Sequence, residues 1–171
     1  RTSRGLGDVY KRQVYNVGNN RPGKIVEMDA NYFRESWESG CFGGFLFAKE
    51  VIKTFLLEKT AGTLIFTGAS ASLRGKSNFG AFNSAKGALR NLAQALAKEY
   101  AENSIHVSHV IVDGGLAGER IKQRLSDFEE RVKEGKLINI ENVTEAYMFL
   151  YNQSKDAWTF ELDVRTSQEN W

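Results

Sequence analysis

The chain has 171 residues, of which 42% are hydrophobic, 26% charged and 12% aromatic. This composition fits one globular domain with a packed core and argues against a disordered or low-complexity protein. The formal net charge of +2 is concentrated in residues 1–13, which carry four basic residues and one Asp. The remainder therefore lacks the basic excess with which proteins bind nucleic acid.

Cysteine content and hydropathy exclude further classes of protein. The single cysteine, Cys41, excludes an internal disulfide framework and a cysteine-rich zinc site. No apolar run approaches the roughly 18 residues that a membrane-spanning helix needs. Because no signal peptide is visible, we expect a cytoplasmic protein that does not enter a membrane.

The first 13 residues, RTSRGLGDVYKRQ, differ in character from the rest. They show no apolar periodicity, and the chain begins at Arg1 without an initiator Met. We interpret residues 1–13 as a non-native leader, similar to a translated adaptor remnant, and residues 14–171 as the domain. A disordered basic arm is the alternative interpretation.

The first half of the domain predicts two strands separated by a long helix. Val14–Asn16 is a strand that runs into a loop rich in Gly and Asn. Apolar residues recur every three or four positions over 31–58, which predicts a helix. Leu64–Thr67 is a short buried strand, and residues 68–78 are small and polar, as in a loop.

Three glycines, Gly40, Gly43 and Gly44, interrupt the apolar face of this helix. Each costs about 1 kcal/mol relative to Ala in a helix interior. We therefore expect another element to approach the backbone closely there. The sheet or a helix of a second copy would both suit that approach.

In the second half of the domain, predicted helices and strands alternate as they do in the first half. The most regular helical pattern follows the polar loop, and a strand rich in β-branched residues comes next. A highly charged segment then predicts one or two solvated helices, and the spacing Asn142-x-x-Glu145 is that of a capping box. The predicted elements are a helix at Phe79–Glu102, a strand at Ile105–Val112, charged helices within 117–136, a helix from Asn142 through Tyr151 and a strand at Phe160–Val164.

Helices between short strands define βαβ units and thus an α/β fold with a mostly parallel sheet covered on both faces. Ligands of such sheets bind at the carboxyl ends of the strands. The segments Asn16–Asn20, Thr67–Ser72 and Asp113–Gly118 fall there. All three are rich in Gly, Asn, Ser or Thr, which suits a polar ligand.

Four motifs occur in a characteristic order: Val-Tyr-Asn-Val-Gly at 14–18, the loop 67–75, Phe82-x-x-x-Lys86 at the start of a helix, and the strand and loop at 105–118. In that order they resemble the short-chain dehydrogenase/reductase superfamily over nearly all of residues 14–171. The resemblance implies a Rossmann-like doubly wound sheet and hydride transfer with NAD or NADP. It also implies that the first third of a family domain, with its Gly-rich turn, is missing.

The resemblance assigns cofactor-binding roles to several residues. Asn16 and Gly18 match the turn beside the adenine ribose, and Lys86 matches the lysine that binds the nicotinamide ribose. Gly114 and Leu116 match the loop that receives the nicotinamide carboxamide. From the residues alone, a solvated helix lysine is the favoured interpretation of Lys86.

The proton-handling positions depart from the family pattern. Phe82 stands where the catalytic Tyr belongs, Ala69 where the Ser belongs, and Cys41 where a helical Asn belongs. Only Lys86 keeps its family identity as a catalytic residue. The neighbouring Ser70 is a candidate to polarise a carbonyl, but a serine that satisfies the turn is the favoured interpretation. Phe82 lines the substrate pocket or belongs to the core.

A positioned general acid contributes about 10²–10⁴-fold, so loss of the phenol favours weak carbonyl chemistry with intact cofactor binding. Our first hypothesis is an NAD(P)(H)-dependent oxidoreductase of a small carbonyl, hydroxyl or unsaturated substrate, with a non-standard proton donor. The alternative is a catalytically silent NAD(P)-binding protein that acts as a redox sensor or scaffold. A methyltransferase of similar fold would leave Phe82-x-x-x-Lys86 unexplained.

The sequence also supports expectations about metal binding and oligomeric state. His106 and His109 lie on opposite faces of one strand, so they do not predict a metal site. Cys41 is interpreted as a packed small residue with no neighbour to form a thiolate. Relatives pair the two long helices, here about 31–58 and 79–102, so we expect a homodimer or tetramer. We expect the truncated sheet, on its own, to be poorly soluble or oligomeric and to bind NAD or NADP only weakly.

Overall fold

The computed structural model describes residues 11–169. Within them, four parallel strands form one sheet in the order β1-β2-β3-β4. This confirms the predicted α/β class. The strands are β1 (Arg12–Tyr15), β2 (Gly62–Ala69), β3 (Ile105–Asp113) and β4 (Glu161–Arg165).

Helices connect the strands and cover both faces of the sheet. Phe66 of β2 packs with Phe55 and Leu89 on one face, and Ile65 packs with Leu150 on the other. Alternation along β2 thus feeds two apolar clusters, as a strand buried on both faces requires. The helices are α1 (Ala30–Trp37), α2 (Gly43–Glu58), α3 (Gly80–Tyr100), α4 (Glu119–Lys122), α5 (Phe128–Lys133) and α6 (Ile140–Tyr151).

The long helix predicted over 31–58 is continuous, but a π-helical turn at Glu38–Phe42 separates α1 from α2. The glycines in and after this turn contact other elements of the same chain. A Cβ on Gly40 would lie 2.8 Å from Ala85 Cβ, and one on Gly44 would lie 2.6 Å from Leu89 Cδ1. Close packing against α3 therefore explains these two glycines.

Gly43 faces the sheet. A Cβ at this position would lie 2.5 Å from the Tyr15 hydroxyl, which donates a hydrogen bond to the Ser39 carbonyl. The π-helical turn thus receives a phenol from β1. The close approach expected at all three glycines is confirmed, and it occurs within one molecule.

Strand β1 begins two residues earlier than predicted. Arg12 and Gln13 pair with Thr63 and Leu64 of β2, so they belong to the sheet although the sequence analysis placed them in the leader. The first ten residues of that leader lie outside the described residues. The last strand likewise ends one residue later than predicted, at Arg165.

The predicted capping box at Asn142 is wrong. Helix α6 begins at Ile140, and the Asn139 side chain caps it by accepting the Asn142 amide at 3.1 Å. An Asn side chain satisfies one of the unbonded amides of a first helical turn. Because Asn139 fills that role, Asn142 lies inside the helix and its side chain is not the cap.

The charged segment forms two short helices, α4 and α5, as the composition allowed. Its ends are joined where Leu116 forms a parallel bridge with Ile138. The Ile138 amide donates to the Gly115 carbonyl, and the Ala117 amide donates to the Ile138 carbonyl, both at 2.8 Å. The loop after β3 is therefore fixed to the segment that enters α6.

Short 3₁₀ turns at Ile25–Glu27, Ser70–Ser72 and Lys155–Ala157 had no clear sequence signal. Over the stretch from residue 11 to residue 169, no helix is both long and apolar enough to span a bilayer.

Candidate active site

Lys86 of α3 reaches the carboxyl ends of β1 and β2. Its Nζ donates to the Thr67 carbonyl at 2.6 Å and to the Val17 carbonyl at 2.8 Å, and the residue is only 4% exposed. Lys86 lies one turn before Leu89 on the α3 face that packs on the sheet, since helix residues three or four apart are neighbours. Helix periodicity thus brings the ammonium group inward.

Burial also sets the proton affinity of this group. Removal of the ammonium from water lowers the pKa of Lys86 from its ordinary value of 10.5 to about 8. A substantial fraction of the side chain is therefore neutral at mildly alkaline pH. Perturbed groups of this kind in a cleft are frequent at functional sites.

This depressed pKa makes folding stability depend on pH. Below about pH 8 both folded and unfolded chains carry the Lys86 proton, and the fold bears the desolvation cost. As pH rises toward 10.5, the folded chain releases the proton first, so this contribution to stability increases with pH. Between about pH 7.5 and about pH 9.5, we expect the free energy of unfolding of wild type to rise by about 2 kcal/mol relative to that of Lys86→Met, as measured by urea unfolding. A pH-independent difference would contradict the shift.

Phe82 and Gly18 complete the surroundings of the ammonium group. The Lys86 nitrogen lies 5.9 Å from the centroid of the half-buried Phe82 ring. A Cβ on exposed Gly18 would lie 3.4 Å from Lys86 Nζ and 3.6 Å from the Phe82 ring. These three residues therefore meet at one point of the surface, at the carboxyl end of the sheet.

The loop after β2 places Ser70 in a turn. The Ser70 carbonyl accepts the amides of Leu73 and Arg74, both at 3.0 Å. The side chain that closes the turn belongs to Ser72, whose hydroxyl accepts the Ala69 amide at 3.2 Å. The serine whose side chain closes this turn is therefore Ser72, which the sequence analysis did not single out.

The other cofactor candidates lie along the same edge of the sheet. Asn16 follows β1 and is exposed, and Gly114 follows β3 with φ +149°, a conformation that favours glycine. The carbonyl of Leu116 accepts the Gly118 amide at 2.7 Å. Its bridge to Ile138 uses the flanking peptide groups, so the Leu116 amide is directed to the opposite side.

Cys41 lies in the π-helical turn and is 8% exposed. Burial raises the pKa of its thiol, so the thiol stays protonated at neutral pH. This agrees with a packing role. The resemblance implies an Asn at this position, and the residue present is a cysteine in the π-helical turn.

Behind Lys86, Thr67 links the two faces of the sheet. Its carbonyl accepts from Lys86 on the α3 side, while its hydroxyl bonds to the Tyr147 hydroxyl of α6 at 2.7 Å. Burial raises the pKa of Tyr147, so this phenol remains protonated. Tyr147 lies on the opposite face of the sheet from Phe82 and supports the strand.

The contacts of a buried histidine under the loop after β2 were not predicted from the sequence. His109 of β3 is fully buried, with Nδ1 3.0 Å from Glu161, and Glu161 accepts both Nε and Nη2 of Arg90 at 2.5 and 2.9 Å. Burial lowers the pKa of His109 and keeps the ring neutral. Its Nε2 has no hydrogen-bond partner in residues 11–169 and faces Gly68.

A second ionic cluster fixes the tips of β3 and β4. Asp113 is buried and lies 3.1 Å from Arg74 and 3.3 Å from Arg165. It therefore ties the loop after β2 to the last strand. In the part of the chain that the structure describes, no group of three or more His, Cys, Asp or Glu is arranged to hold a metal ion.

Comparison with known proteins agrees with this architecture. Residues 12–161 match the family model described as enoyl-(acyl carrier protein) reductase. A short-chain dehydrogenase from Rhodopseudomonas palustris is 36% identical, with a TM-score of 0.72 over 91% of this chain and 61% of that one. The chain belongs to the short-chain dehydrogenase/reductase superfamily.

One further protein is similar in sequence, and another is similar in structure. The 2-dehydro-3-deoxy-D-gluconate 5-dehydrogenase of Formosa agariphila is 30% identical over 97 residues, which are 57% of this chain and 36% of the relative. A gluconate 5-dehydrogenase from Burkholderia cenocepacia, in complex with NADP and tartrate, shares the fold at 16% identity, with a TM-score of 0.76 over 91% of this chain and 63% of that one. The chain thus spans less than two thirds of the length of each of these relatives.

Proposed function

We propose that the protein is an NAD(P)(H)-dependent oxidoreductase that acts on a small carbonyl, hydroxyl or unsaturated substrate. The single observation that carries the proposal is the buried Lys86 ammonium at the carboxyl end of the sheet, one helical turn from Phe82 and against Gly18. Open α/β sheets bind nucleotides at this edge.

The residues present fit a nicotinamide dinucleotide. A Cβ at Gly18 would occupy the surface next to Lys86, and its absence leaves the backbone open to a ribose. Lys86 and Asn16 would bind ribose hydroxyls there, and Gly114 and the Leu116 amide would receive the carboxamide. When bound, the dinucleotide would supply the hydride, and the residues of this chain would orient it.

Binding and chemistry can be tested separately. We expect NADH or NADPH to bind, as followed by nucleotide fluorescence, and to be oxidised in the presence of a member of a panel of small aldehydes, ketones and unsaturated carbonyls. Neither binding nor oxidation with any member would overturn the proposal. Comparison of the two nucleotides establishes the preference between NAD and NADP.

The alternative function is a silent NAD(P)-binding protein. It is favoured by Phe82 and Ala69, which leave two family catalytic positions without a proton to donate. Micromolar binding of either nucleotide without turnover across the panel would support it. Substrate-dependent hydride transfer would remove it.

We also propose that α2 and α3 pair with a second copy. Between them lies a groove of 590 Å³ that includes Leu56 and Leu96, with Lys53 on one side and Glu99 on the other. A two-fold axis would place each lysine near the partner's acidic residue and bury the apolar strip twice. Exposed large apolar side chains continue the strip along α2 and the π-helical turn before it, at Phe42, Phe45, Leu46 and Leu57.

The assembly has a direct test. We expect light scattering to give a dimer or tetramer for wild type and a smaller species for Leu57→Asp, since Leu57 is 75% exposed and a charge would be buried in the contact. Val132→Asp, on exposed α5 surface, is the matched control. A monomeric wild type, or an unchanged mass for Leu57→Asp, would contradict the pairing.

A further inference from the structure

The ring of His109 holds its single proton on a defined nitrogen. The ring is fully buried and neutral, and its Nδ1 lies 3.0 Å from the Glu161 carboxylate. Two hydrogen bonds from Arg90 hold the pKa of this carboxyl below its ordinary value, so the carboxylate is ionised and can only accept. The Nδ1 atom therefore carries the proton, and Nε2 presents a lone pair.

This lone pair faces a gap that Gly68 leaves open. Nε2 has no hydrogen-bond partner among residues 11–169. A Cβ on Gly68 would overlap His109 Nε2 and would lie 2.8 Å from Ser72 Oγ, so both polar atoms border the position that this Cβ would fill. A buried acceptor that stays unpaired costs free energy, and a donor directed into the gap would remove that cost.

Ser72 has the donor that the lone pair lacks. Its side chain is buried, and its hydroxyl oxygen accepts the Ala69 amide at 3.2 Å. A hydroxyl that accepts through a lone pair still has its O–H hydrogen to donate. Directed across the gap, this hydrogen would pair with His109 Nε2 while the oxygen keeps the Ala69 amide.

We propose that His109 is a positioning residue, whose Nε2 accepts a hydrogen bond from the Ser72 hydroxyl and so holds the turn after β2 on the sheet. This turn directly follows the end of β2, where the Thr67 carbonyl accepts from Lys86. The chain of contacts from Glu161 through His109 to Ser72 thus fixes the segment that borders the proposed dinucleotide site. The effect on activity rests on the proposed function, whereas the hydrogen bond itself does not.

The groups around His109 set the pH range of this hydrogen bond. Burial has the largest effect and lowers the pKa of the ring, Glu161 from β4 raises it, and the positive charges of Arg90 and Lys86 from α3 lower it. On the β2 side the neighbour is Gly68, which has no side chain to titrate. Below its pKa the ring carries a proton on Nε2 as well and can no longer accept there. We therefore expect the turn to lose this support only at acidic pH.

The ¹⁵N resonances of the His109 ring test the hydrogen bond without any activity. In wild type at neutral pH, we expect Nδ1 to be protonated and Nε2 to be a hydrogen-bonded acceptor. Ser72→Ala is expected to shift the Nε2 resonance to that of an unbonded acceptor and to raise the pKa of His109, because a hydrogen bond to the neutral ring favours that form. Ser72→Thr keeps the hydroxyl and should preserve both. Ser77→Ala, at an exposed position of the same loop, is the control.

The pH profile of turnover tests the positioning role. We expect Ser72→Ala to lower kcat for hydride transfer about 10-fold at neutral pH, less than the roughly 100-fold that a misplacement by about 1 Å can cost, with a smaller change in nucleotide affinity. Wild type should lose activity at acidic pH as His109 gains its second proton. His109→Phe, which keeps a ring but has no nitrogen, should lack this acid limb.

The spectrum of wild type alone can overturn the inference, if Nε2 and not Nδ1 is found to carry the proton. An unchanged Nε2 resonance and an unchanged pKa of His109 in Ser72→Ala would also overturn it. A wild-type kcat in Ser72→Ala would contradict the positioning role. If wild type transfers no hydride to any substrate, the proposed function fails, and the ¹⁵N spectra still decide whether the hydrogen bond exists.

Discussion

Phe82→Tyr is expected to raise the rate of carbonyl reduction by about 100-fold at neutral pH. The new hydroxyl would extend from a ring whose centroid lies 5.9 Å from Lys86 Nζ. A neighbouring ammonium favours the phenolate and lowers the pKa of the phenol. The variant would thus restore an acid supported by a lysine. We place the gain at the lower end of the range because Ala69 and Cys41 stand where the resemblance implies the other polar catalytic residues.

Initial rates of nucleotide oxidation on the carbonyl panel measure the effect, and nucleotide affinity should stay close to that of wild type. Phe149→Tyr adds the same hydroxyl on α6, at a side chain that is 54% exposed, and should change nothing. An unchanged rate in Phe82→Tyr, with affinity intact and a substrate that wild type turns over, would show that position 82 does not face the reacting atoms.

Gly68→Ala is expected to lower the free energy of unfolding by about 3 kcal/mol, the upper end of the usual cost of overpacking. The added methyl group would overlap His109 Nε2 and lie 2.8 Å from Ser72 Oγ. His109 is fully buried and bonded to Glu161, so it cannot move aside without breaking that contact. Because Gly68 directly follows Thr67, the variant should also displace one carbonyl that holds Lys86.

Urea unfolding measures the decrease in the free energy of unfolding. Gly87→Ala is the control, because it is expected to change stability in the opposite direction. Gly87 lies within α3, where an added Cβ would meet nothing within 4 Å. Replacement of a helical glycine by alanine at an unobstructed site should raise stability by about 0.5–1 kcal/mol. Equal stability of Gly68→Ala and wild type would mean that the contact with His109 is looser than the structure indicates.

Local patterns predicted the elements well where one residue type or period dominated. The stripe through Leu89 and Ala93 predicted α3 nearly to its ends, and the β-branched run from Ile105 predicted β3. The start of α6 was misplaced because Asn139 and Asn142 can both cap a helix. The choice between them depends on where the preceding segment bonds to the loop after β3, which spacing does not encode.

In the candidate site, too, local spacing predicted some residues, while the contacts of others depend on the tertiary structure. Lys86 and Phe82 were found because they lie one turn apart on a single helix. The contacts of Thr67, Val17 and His109 were not predicted, because they join residues 19 to 69 positions apart or residues of different strands. The only sequence signal for these contacts was a His or Asp within an apolar strand, and such a residue does not show which side chain it will contact.

The sequence by itself determined the α/β class, the polar edge of the sheet and the absence of an ionisable group at position 82, since these follow from period, composition and side-chain chemistry. Only the tertiary structure decided that three glycines serve packing within one chain and that two backbone carbonyls hold the Lys86 amine. Main-chain carbonyls are present at every residue, so which of them lies next to a given side chain depends on how the elements pack together.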